Sequence, residues 1–447
     1  MNISVIGTGY VGLVSGVCLA EKGHKVTCID VNTEIINKIN QGITPIFERG
    51  LSELLTKNLN HTFFASTDLK DAVMNSELSI IAVGTPYNGD DIDLSSIKQV
   101  SREIGCALLN KEGFHAVVIK STVVPGTTND VVSPIIEETS GKKAGVDFGV
   151  GMNPEFLREG AAVNDFMNPD RIVLGASDNL TLELMEKVYD LFNNVDVVKT
   201  NTKTAEMIKY TANSLLATLI SFSNEIGNLC SRLGNIDVVD VMSGVHKDKR
   251  FSPLLTNGER MSPEFISYLA AGCGFGGSCF PKDVKALISH GKKAGSNMAL
   301  LDSVMRINEE QPKEIITLLE KYFESMKNIR IAILGLAFKP DTDDMRESPA
   351  IPIVRYLLHA GANIQAYDPV AEHEAEKLFG NHQIKYYQDL PKALEGVDAV
   401  ILLTSWPEFS TVPGLMNATT PQPLFIDGRR MLTKTSFTRY EGIGLSV

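Results

Sequence analysis

The sequence lacks several features that would place it in familiar classes of protein. Its six cysteines form no C-x-x-C pair and are not grouped with the eight histidines at zinc-ligand spacing, so neither a disulfide framework nor a metal site is predicted. It has no run of about 18 uninterrupted apolar residues, so no membrane-spanning helix is expected. The apolar start at 1–20 has no Lys or Arg before Lys22 and is interrupted by glycines, which argues against a signal peptide.

An excess of basic residues is also missing. Lys and Arg total 42 against 54 Asp and Glu, which gives a net charge of −12 and makes nucleic acid or an anionic membrane a poor partner. The 447 residues, 43% hydrophobic and 21% charged, are typical of a globular chain of roughly two to four domains. A reducing cytoplasm is expected for the unpaired thiols, and five of them are expected to be buried: Cys18, Cys28, Cys106, Cys230 and Cys273.

The order of the predicted elements indicates an α/β protein. Strand-like and helical segments alternate at both ends of the chain, which favours two Rossmann-like, doubly wound parallel sheets. Between them, a stretch without proline from Thr202 to about Leu233 predicts one helix of about 28 residues, long enough to connect domains or to pack against its copy in a homodimer. The predicted domains are 1–198 (Rossmann-like), 199–325 (central and helical) and 326–447 (Rossmann-like).

A dinucleotide-binding loop is predicted after the first strand. Gly7, Gly9 and Gly12 form a G-x-G-x-x-G pattern between a strand and a helix, which suits a tight turn, the approach of a pyrophosphate and close helix–strand packing. Asp30 ends the second strand, where a carboxylate accepts hydrogen bonds from a ribose 2′-OH and repels a 2′-phosphate. NAD is therefore preferred over NADP. The alternative to dinucleotide binding is that the glycines form a purely structural turn.

The segment 274–283 carries the sharpest chemical signal. Pro281 suits the first turn of a helix, which places Cys279 just before a helix N-terminus, where the helix dipole and nearby Lys282 favour a thiolate. The neighbouring glycines leave room for a substrate. Asp283 is close enough to orient a water, or it serves only the helix dipole.

Two further sets of polar residues are less specific. Lys209 and Asn213 are four residues apart on the long helix and share one of its faces, which is compatible with a site or with solvated surface. Glu155 and Glu159 lie in a loop after a strand, where each could act as an acid–base group or as a salt-bridge partner.

These residues together resemble a known family. The chain is similar, nearly end to end, to the UDP-glucose 6-dehydrogenases, within the nucleotide-sugar dehydrogenases. The motifs that carry the resemblance are Gly7-x-Gly9-Tyr10-Val11-Gly12, Val83-Gly84-Thr85-Pro86, Ser121-Thr122-Val123-x-Pro125-Gly126-Thr127, Asn153-Pro154-Glu155-Phe156-Leu157-x-Glu159-Gly160, Asn168-Pro169-Asp170-Arg171, Lys209-x-x-x-Asn213, the Cys279 block, Gly335-x-Ala337-Phe338-Lys339-x-Asp341-Thr342-x-Asp344-x-Arg346-Glu347-Ser348 and Asp427-Gly428-Arg429-Arg430.

The resemblance implies oxidation of a sugar C6 alcohol to a carboxylate in two NAD-dependent steps through a thioester on Cys279. It implies that 1–198 binds NAD, that 199–325 carries the dimer contact and the catalytic cysteine, and that 326–447 binds the UDP-sugar. It implies that Lys209 and Asn213 stabilise an oxyanion, that Glu155, Thr122 and Asp283 hold or activate the hydrolytic water, and that neutral Lys209 or a water on Asp283 is the first base. The implied cofactor contacts are Gly7, Gly9, Tyr10, Val11, Gly12, Asp30, Thr85, Thr122, Glu159 and Arg346. The implied substrate contacts are Glu155, Phe156, Leu157, Lys209, Asn213, Arg260, Tyr268, Phe275, Gly276, Lys339 and Arg429.

One interval departs from the family pattern. The family has an arginine before the cysteine block that reaches the neighbouring subunit's substrate, and here both Arg250 and Arg260 precede it. Arg260-Met261-Ser262-Pro263 is the better match, although its interval to Cys279 is longer. Two other hypotheses stay open: a 6-dehydrogenase of another nucleotide sugar (GDP-mannose, UDP-galactose or a UDP-N-acetylhexosamine), and a non-catalytic protein that binds NAD and a nucleotide sugar.

Overall fold

A computed structural model describes residues 1–417 and 420–446. The chain divides into two compact units, Met1–Ala212 and Asn213–Val447. The predicted domain boundaries at 198/199 and 325/326 are a different division and stay predictions.

The first unit is built on an eight-stranded sheet. Its strands are β1 (Asn2–Ile6), β2 (Lys25–Ile29), β3 (Phe63–Ser66), β4 (Leu78–Ile81), β5 (His115–Ile119), β6 (Phe148–Met152), β7 (Arg171–Ala176) and β8 (Asp196–Thr200). The spatial order is β3-β2-β1-β4-β5-β6-β7-β8. The pairs are parallel except β6–β7, which is antiparallel, so the last two strands run against the others.

Both faces of this sheet are covered, as a doubly wound sheet requires. Along β5, Ala116 and Val118 belong to one hydrophobic core, whereas Val117 and Ile119 belong to the other. Alternate residues of a strand point to opposite faces, so the nearly continuous apolar run of β5 follows from burial on both sides. The covering helices are α1 (Tyr10–Glu21), α2 (Thr33–Asn40), α3 (Leu51–Asn58), α4 (Leu69–Met74), α5 (Ser95–Leu108), α6 (Ser133–Ser140), α7 (Ala162–Met167) and α8 (Asn179–Tyr189).

The long helix predicted from the missing prolines is present. Helix α9 (Thr202–Leu233) has 32 residues and continues from the first unit into the second.

The second unit contains a smaller sheet with the same design. Its strands are β9 (Arg330–Leu334), β10 (Asn363–Tyr367), β11 (Ile384–Tyr386), β12 (Ala399–Leu402), β13 (Leu424–Asp427) and β14 (Tyr440–Gly442). They are parallel throughout, in the order β11-β10-β9-β12-β13-β14. The remaining helices are α10 (Val238–His246), α11 (Phe280–Lys293), α12 (Ala299–Glu320), α13 (Ala350–His359), α14 (Glu372–Phe379), α15 (Leu390–Ala393) and α16 (Val412–Asn417).

The predicted fold class is therefore confirmed: two α/β sheets accompany a helical central segment. The antiparallel β6–β7 pair is an addition that the alternation of elements did not predict. Among the residues that the structure describes, none of the helices is long and apolar enough to cross a membrane.

Candidate active site

The three glycines of the first loop meet three different requirements. Gly7 has a φ of +102°, and a Cβ there would lie 2.6 Å from the Ala82 carbonyl oxygen. A Cβ on Gly12 would lie 1.9 Å from the Gly7 oxygen, whereas one on Gly9 would have no atom within 4 Å. Gly9 is also the N-cap of α1 and offers no side-chain acceptor to the first helical N–H groups. The turn therefore leaves open backbone donors at a helix N-terminus, which suits a pyrophosphate.

The acid at the end of β2 is held against this loop. Asp30 Oδ2 accepts hydrogen bonds from the Thr8 N–H at 2.9 Å and the Thr8 hydroxyl at 2.8 Å, and Oδ1 accepts one from the Asn32 N–H at 3.0 Å. The carboxylate thus has a fixed orientation at the carboxyl end of the sheet, where ligands of doubly wound folds bind. The residues present fit NAD.

This geometry makes a prediction for Asp30→Ala. Hydrogen bonds to a charged group contribute about 1.5–3 kcal/mol, so the Kd for NAD is expected to rise about 10- to 100-fold and the preference over NADP to weaken. Asp71→Ala, an exposed carboxylate on α4, is the control. Titration of both cofactors by fluorescence or calorimetry checks this; an unchanged Kd for NAD would remove the ribose role of Asp30.

A second loop is fixed to the start of α1 by a residue that sequence reasoning missed. The buried Glu48 carboxylate accepts hydrogen bonds from Tyr10 Oη and from the N–H groups of Gly160 at 2.7 Å and Ala162 at 2.9 Å. Burial and the Glu48 carboxylate raise the pKa of Tyr10, so the phenol stays protonated. Tyr10 and the loop of Glu159 are therefore connected through Glu48, which stands far from both in the sequence.

Two polar residues that follow the neighbouring strands β4 and β5 are in contact. The hydroxyl of Thr85 donates to the Thr122 carbonyl at 2.8 Å, and Thr85 is buried. These two cofactor-site candidates therefore lie side by side at the carboxyl edge of the first sheet.

The loop after β6 forms a buried ion pair with α9. Lys209 Nζ lies 3.1 Å from Glu155 Oε1, and the two side chains are only 4% and 6% exposed. Glu155 Oε2 also accepts the Leu157 N–H at 2.6 Å, and the Lys209 ammonium lies 5.5 Å from the centre of the Phe156 ring. The sequence left Lys209 compatible with solvated surface, which its burial excludes. It left Glu155 as an acid–base group or a salt-bridge partner, and the structure shows the salt bridge.

A second buried lysine lies beside this loop. Lys120 Nζ donates to Asn153 Oδ1 at 2.9 Å, and Asn153 directly precedes Pro154-Glu155. Burial lowers the pKa of the Lys120 ammonium to about 8, an effect that the Glu155 charge partly offsets. Its position at the end of β5, next to the Ser121-Thr122 motif, was the signal in the sequence that could have identified it.

In the second unit, Cys279 is the N-cap residue of α11, as the sequence predicted. Its side chain is partly exposed, and its sulfur lies 3.6 Å from the Ser278 hydroxyl oxygen. A thiol at a helix N-terminus is in an environment that favours the thiolate.

One turn into α11, Asp283 is fully buried and held on both sides. Its Oδ2 accepts from Asn213 Nδ2 at 2.6 Å, and its Oδ1 lies 2.5 Å from Lys282 Nζ. The structure therefore brings Asn213, Asp283 and the Cys279 turn together, which sequence spacing alone could not show for residues 70 positions apart.

The glycines before Cys279 are required by protein packing as well. A Cβ on Gly276 would lie 2.3 Å from the Glu347 oxygen, and one on Gly277 would lie 2.7 Å from the Phe338 ring. The Phe275 ring is buried in a hydrophobic cluster with Val284. The segment is thus packed tightly against its surroundings, and a substrate role for Phe275 and Gly276 stays a prediction.

The turn after β9 has an acid placed as in the first sheet but no G-x-G-x-x-G pattern. Asp368 directly follows β10, as Asp30 follows β2, and its Oδ2 likewise accepts N–H groups of the turn, those of Leu336 at 2.7 Å and Ala337 at 3.1 Å. The N–H groups of Leu336 and Ala337 are therefore satisfied within the chain. Lys339 follows this turn and is partly exposed, and its role toward a diphosphate stays a prediction.

Two candidate arginines of this unit have protein partners. The Arg429 guanidinium donates to the carbonyls of Leu403 at 2.6 Å, Gly274 at 2.9 Å and Phe338 at 3.5 Å. The largely exposed Arg346 pairs with Asp344 at 2.7 Å. Because a guanidinium has five N–H donors, these contacts leave Arg429 able to donate to a ligand as well.

The two arginines before the cysteine block differ in their contacts. Arg260 Nη1 donates to the carbonyls of Lys247 and Ser252, each at 2.7 Å, and so closes a surface loop. Arg250 pairs with Asp248 and lowers the pKa of that carboxyl to about 2. Tyr268 packs against Phe280, with ring centres 6.2 Å apart.

One expectation about the cysteines is corrected. Cys18, Cys28, Cys230 and Cys273 are buried as expected, but Cys106 is exposed on α5. Its sequence neighbours Gly105, Ala107 and Leu108 are buried, but Cys106 itself lies on the exposed face of the helix, so the local composition was misleading. Burial raises the pKa of Cys18 to about 12, which makes it unreactive. Within residues 1–417 and 420–446, no cluster of three His, Cys, Asp or Glu side chains could hold a metal ion.

The fold and the cofactor loop define a dehydrogenase of the Rossmann type. Comparison with known proteins identifies three successive parts of the UDP-glucose/GDP-mannose dehydrogenase family: the NAD binding domain at 1–193, the central domain at 203–310 and the UDP binding domain at 332–434. The chain belongs to this family, and its cofactor is NAD.

Individual relatives match over the whole length. The chain is 39% identical to a UDP-glucose 6-dehydrogenase of Haloferax volcanii, over 99% of this chain and 100% of the relative. It is 42% identical to one of Bacillus subtilis, over 97% of this chain and 90% of the relative. The solved structure of a UDP-glucose dehydrogenase from Pyrobaculum islandicum superimposes with a TM-score of 0.90 at 38% identity, covering 99% of this chain and 98% of that chain.

Proposed function

We propose that this protein oxidises UDP-glucose at C6 to UDP-glucuronate, with two NAD reduced per sugar. The observation that carries the proposal is the arrangement around α11, where the N-cap Cys279 accompanies a buried Asp283 held by Asn213. Full-length similarity to proteins named UDP-glucose 6-dehydrogenase supports the choice of sugar.

When bound, NAD accepts the hydride that leaves C6 in each of the two oxidations. In the first, the proton of the C6 hydroxyl passes to neutral Lys209 or to a water held by Asp283, and the alcohol becomes an aldehyde. The Cys279 thiolate then adds to the aldehyde carbon and forms a thiohemiacetal. Its oxidation leaves a thioester, in which the sulfur is bound to an acyl carbon that water can attack.

The other proposed catalytic residues stabilise negative charge on the C6 oxygen or position the hydrolytic water. Lys209 and Asn213 stabilise the oxyanions that develop on the C6 oxygen, and Glu155, Thr122 and Asp283 hold or activate the hydrolytic water. Hydrolysis breaks the C–S bond and returns the thiol. The balance is one alcohol, two NAD⁺ and one water giving one carboxylate, two NADH and three protons.

Ligand contacts are proposed for both units. Gly7, Gly9, Tyr10, Val11, Gly12, Asp30, Thr85, Thr122 and Glu159 hold NAD, with Arg346 as a further contact. Lys339 and Arg429 bind the UDP diphosphate, where cations compensate the charge. Phe156, Leu157, Phe275, Gly276, Tyr268 and Arg260 shape the sugar and uridine sites.

The proposal extends to assembly and compartment. In the second unit, α9 exposes large apolar side chains at intervals of seven and four residues: Leu215, Phe222, Leu229 and Leu233. Such a stripe suits the same stripe on a second copy, so a homodimer is proposed, and sedimentation should give twice the chain mass of 48.7 kDa. A thiolate nucleophile requires a reducing compartment, which favours the cytoplasm.

A substrate panel tests the proposal. We expect UDP-glucose to give a kcat/KM at least about 100-fold above those for UDP-galactose, UDP-N-acetylglucosamine and GDP-mannose, because unpaired buried polar groups penalise the wrong sugar or base. NADH absorbance reports every rate. A higher kcat/KM for another nucleotide sugar would move the chain to the alternative, a sister enzyme of the same family. Binding of NAD and all sugars without turnover would contradict an enzymatic function.

A further inference from the structure

The segment that leads to Cys279 begins at Gly272, and side chains and backbone groups of other elements form hydrogen bonds with its successive peptide units. The Gly272 N–H donates to Asn224 Oδ1 at 2.8 Å, and the Gly272 carbonyl accepts from Gln311 Nε2 at 2.9 Å. The Cys273 N–H donates to the Gly428 carbonyl at 2.8 Å. Buried polar contacts of this density fix one backbone path and exclude neighbouring ones.

The Gly274 carbonyl accepts from Arg429 Nη1 at 2.9 Å, and Phe275 is bound twice by a single side chain. Asn308 Oδ1 accepts the Phe275 N–H at 2.8 Å, and Asn308 Nδ2 donates to the Phe275 carbonyl at 3.0 Å. A carboxamide carries a donor and an acceptor on one planar group, which matches the carbonyl and the N–H of a single residue. Both the position and the orientation of the Phe275 backbone therefore depend on Asn308.

The carboxamide of Gln311 is itself oriented. Asn308 and Gln311 are three residues apart on α12, so they lie on one face of that helix. The Asn228 side chain donates to Gln311 Oε1 at 3.0 Å, which leaves Gln311 Nε2 directed at Gly272. One face of α12 thus holds Gly272 through Gln311 and Phe275 through Asn308.

The fixed position of Phe275 is transmitted to Cys279 by packing. The Phe275 ring meets the Phe280 ring edge to face, with centres 6.0 Å apart. Phe280 is the first residue of α11 and directly follows Cys279. Cys279 is therefore placed between two aromatic anchors, one of which is held by Asn308.

We propose that Asn308 is a positioning residue for Cys279, acting through the Phe275 backbone on the direction of the thiol. This rests on the proposed nucleophilic role of Cys279. Misplacing a reacting atom by about 1 Å costs on the order of 100-fold in rate, so loss of the double contact acts on turnover more than on cofactor affinity.

The test uses the full-length enzyme and the variants Asn308→Ala, which removes both contacts, and Asn308→Asp, which keeps the acceptor and loses the donor. Glu309→Ala, at an exposed neighbouring position of α12, is the matched control. Three quantities are measured: kcat with UDP-glucose, KM for NAD, and the rate at which iodoacetamide alkylates Cys279. Alkylation is followed in a Cys106→Ala background, because Cys106 is also exposed.

We expect Asn308→Ala to lower kcat about 10- to 100-fold and to change the alkylation rate about fivefold or more, with KM for NAD within about twofold. Asn308→Asp should fall between Asn308→Ala and wild type, and Glu309→Ala should match wild type. Wild-type kcat and alkylation in Asn308→Ala would overturn the proposal, as would a fall in kcat matched by weaker NAD binding and a lower melting temperature.

If Asn308→Ala does not fold, the same three quantities are measured on Asn308→Asp. Wild-type kcat and alkylation in that variant would overturn the proposal. Alkylation of Cys279 needs no turnover. Suppose that Asn308→Ala changes the alkylation rate while Cys279→Ala keeps wild-type activity. This pair of results would refute the nucleophilic role of Cys279 and leave the positioning role of Asn308 standing.

Discussion

Replacing Cys279 with alanine is expected to abolish carboxylate formation while leaving NAD binding intact. The thioester cannot form without the thiol, so the rate of UDP-glucuronate production should fall by about 10³-fold or more, as for other removed nucleophiles. The cofactor loop belongs to the first unit and Cys279 to the second, so the Kd for NAD should change by less than about twofold. Product analysis by chromatography and NAD titration check both expectations.

Cys106→Ala is the matched control, since Cys106 is a thiol with exposed surface and no proposed role. It should retain wild-type activity. Wild-type carboxylate production by Cys279→Ala would show that the nucleophile is assigned wrongly, whereas loss of NAD binding in that variant would show that the effect is structural.

The second large effect is expected at the buried Lys209–Glu155 pair. Lys209→Met leaves a carboxylate that is only 6% exposed without this counter-charge, which destabilises a protein by about 3–5 kcal/mol. For a unit of this size the melting temperature should fall by roughly 10 °C. Loss of an oxyanion-stabilising cation should also lower kcat by about 10²- to 10³-fold.

The double variant Lys209→Met/Glu155→Gln separates these two effects. Removing the stranded charge should restore most of the melting temperature, but activity should stay low because the Lys209 cation is missing and the Glu155 carboxylate no longer holds the hydrolytic water. Lys199→Met is the control, because Lys199 forms an exposed ion pair with Glu186. Loss of this pair should lower the free energy of unfolding by at most about 1 kcal/mol. An unchanged melting temperature in Lys209→Met, or recovered activity in the double variant, would contradict the account.

Much of the scaffold could be predicted because its signals are local. The glycine loop, the acid at the end of β2, the long helix and the helix start after Cys279 each depend on residues within a few positions of one another. The structure adds the reason for each, such as the 2.6 Å approach of a Gly7 Cβ to the Ala82 oxygen.

The contacts that hold the candidate residues in place within each unit could not be predicted, because they join residues far apart in sequence. Glu48 lies 112 positions from Gly160, and Asn213 lies 70 from Asp283. Composition also misled at Cys106, whose exposure depends on which face of α5 is covered. The reversed direction of β7 has the same origin, since pairing direction is a property of the assembled sheet and not of the strand's own residues.

The number of NADH formed per UDP-glucose consumed tests the proposed two-step oxidation. We expect a ratio of two, with UDP-glucuronate as the product and no released aldehyde, because in the proposed route Cys279 captures the aldehyde for the second oxidation. A ratio of one with an aldehyde product would contradict the thioester route.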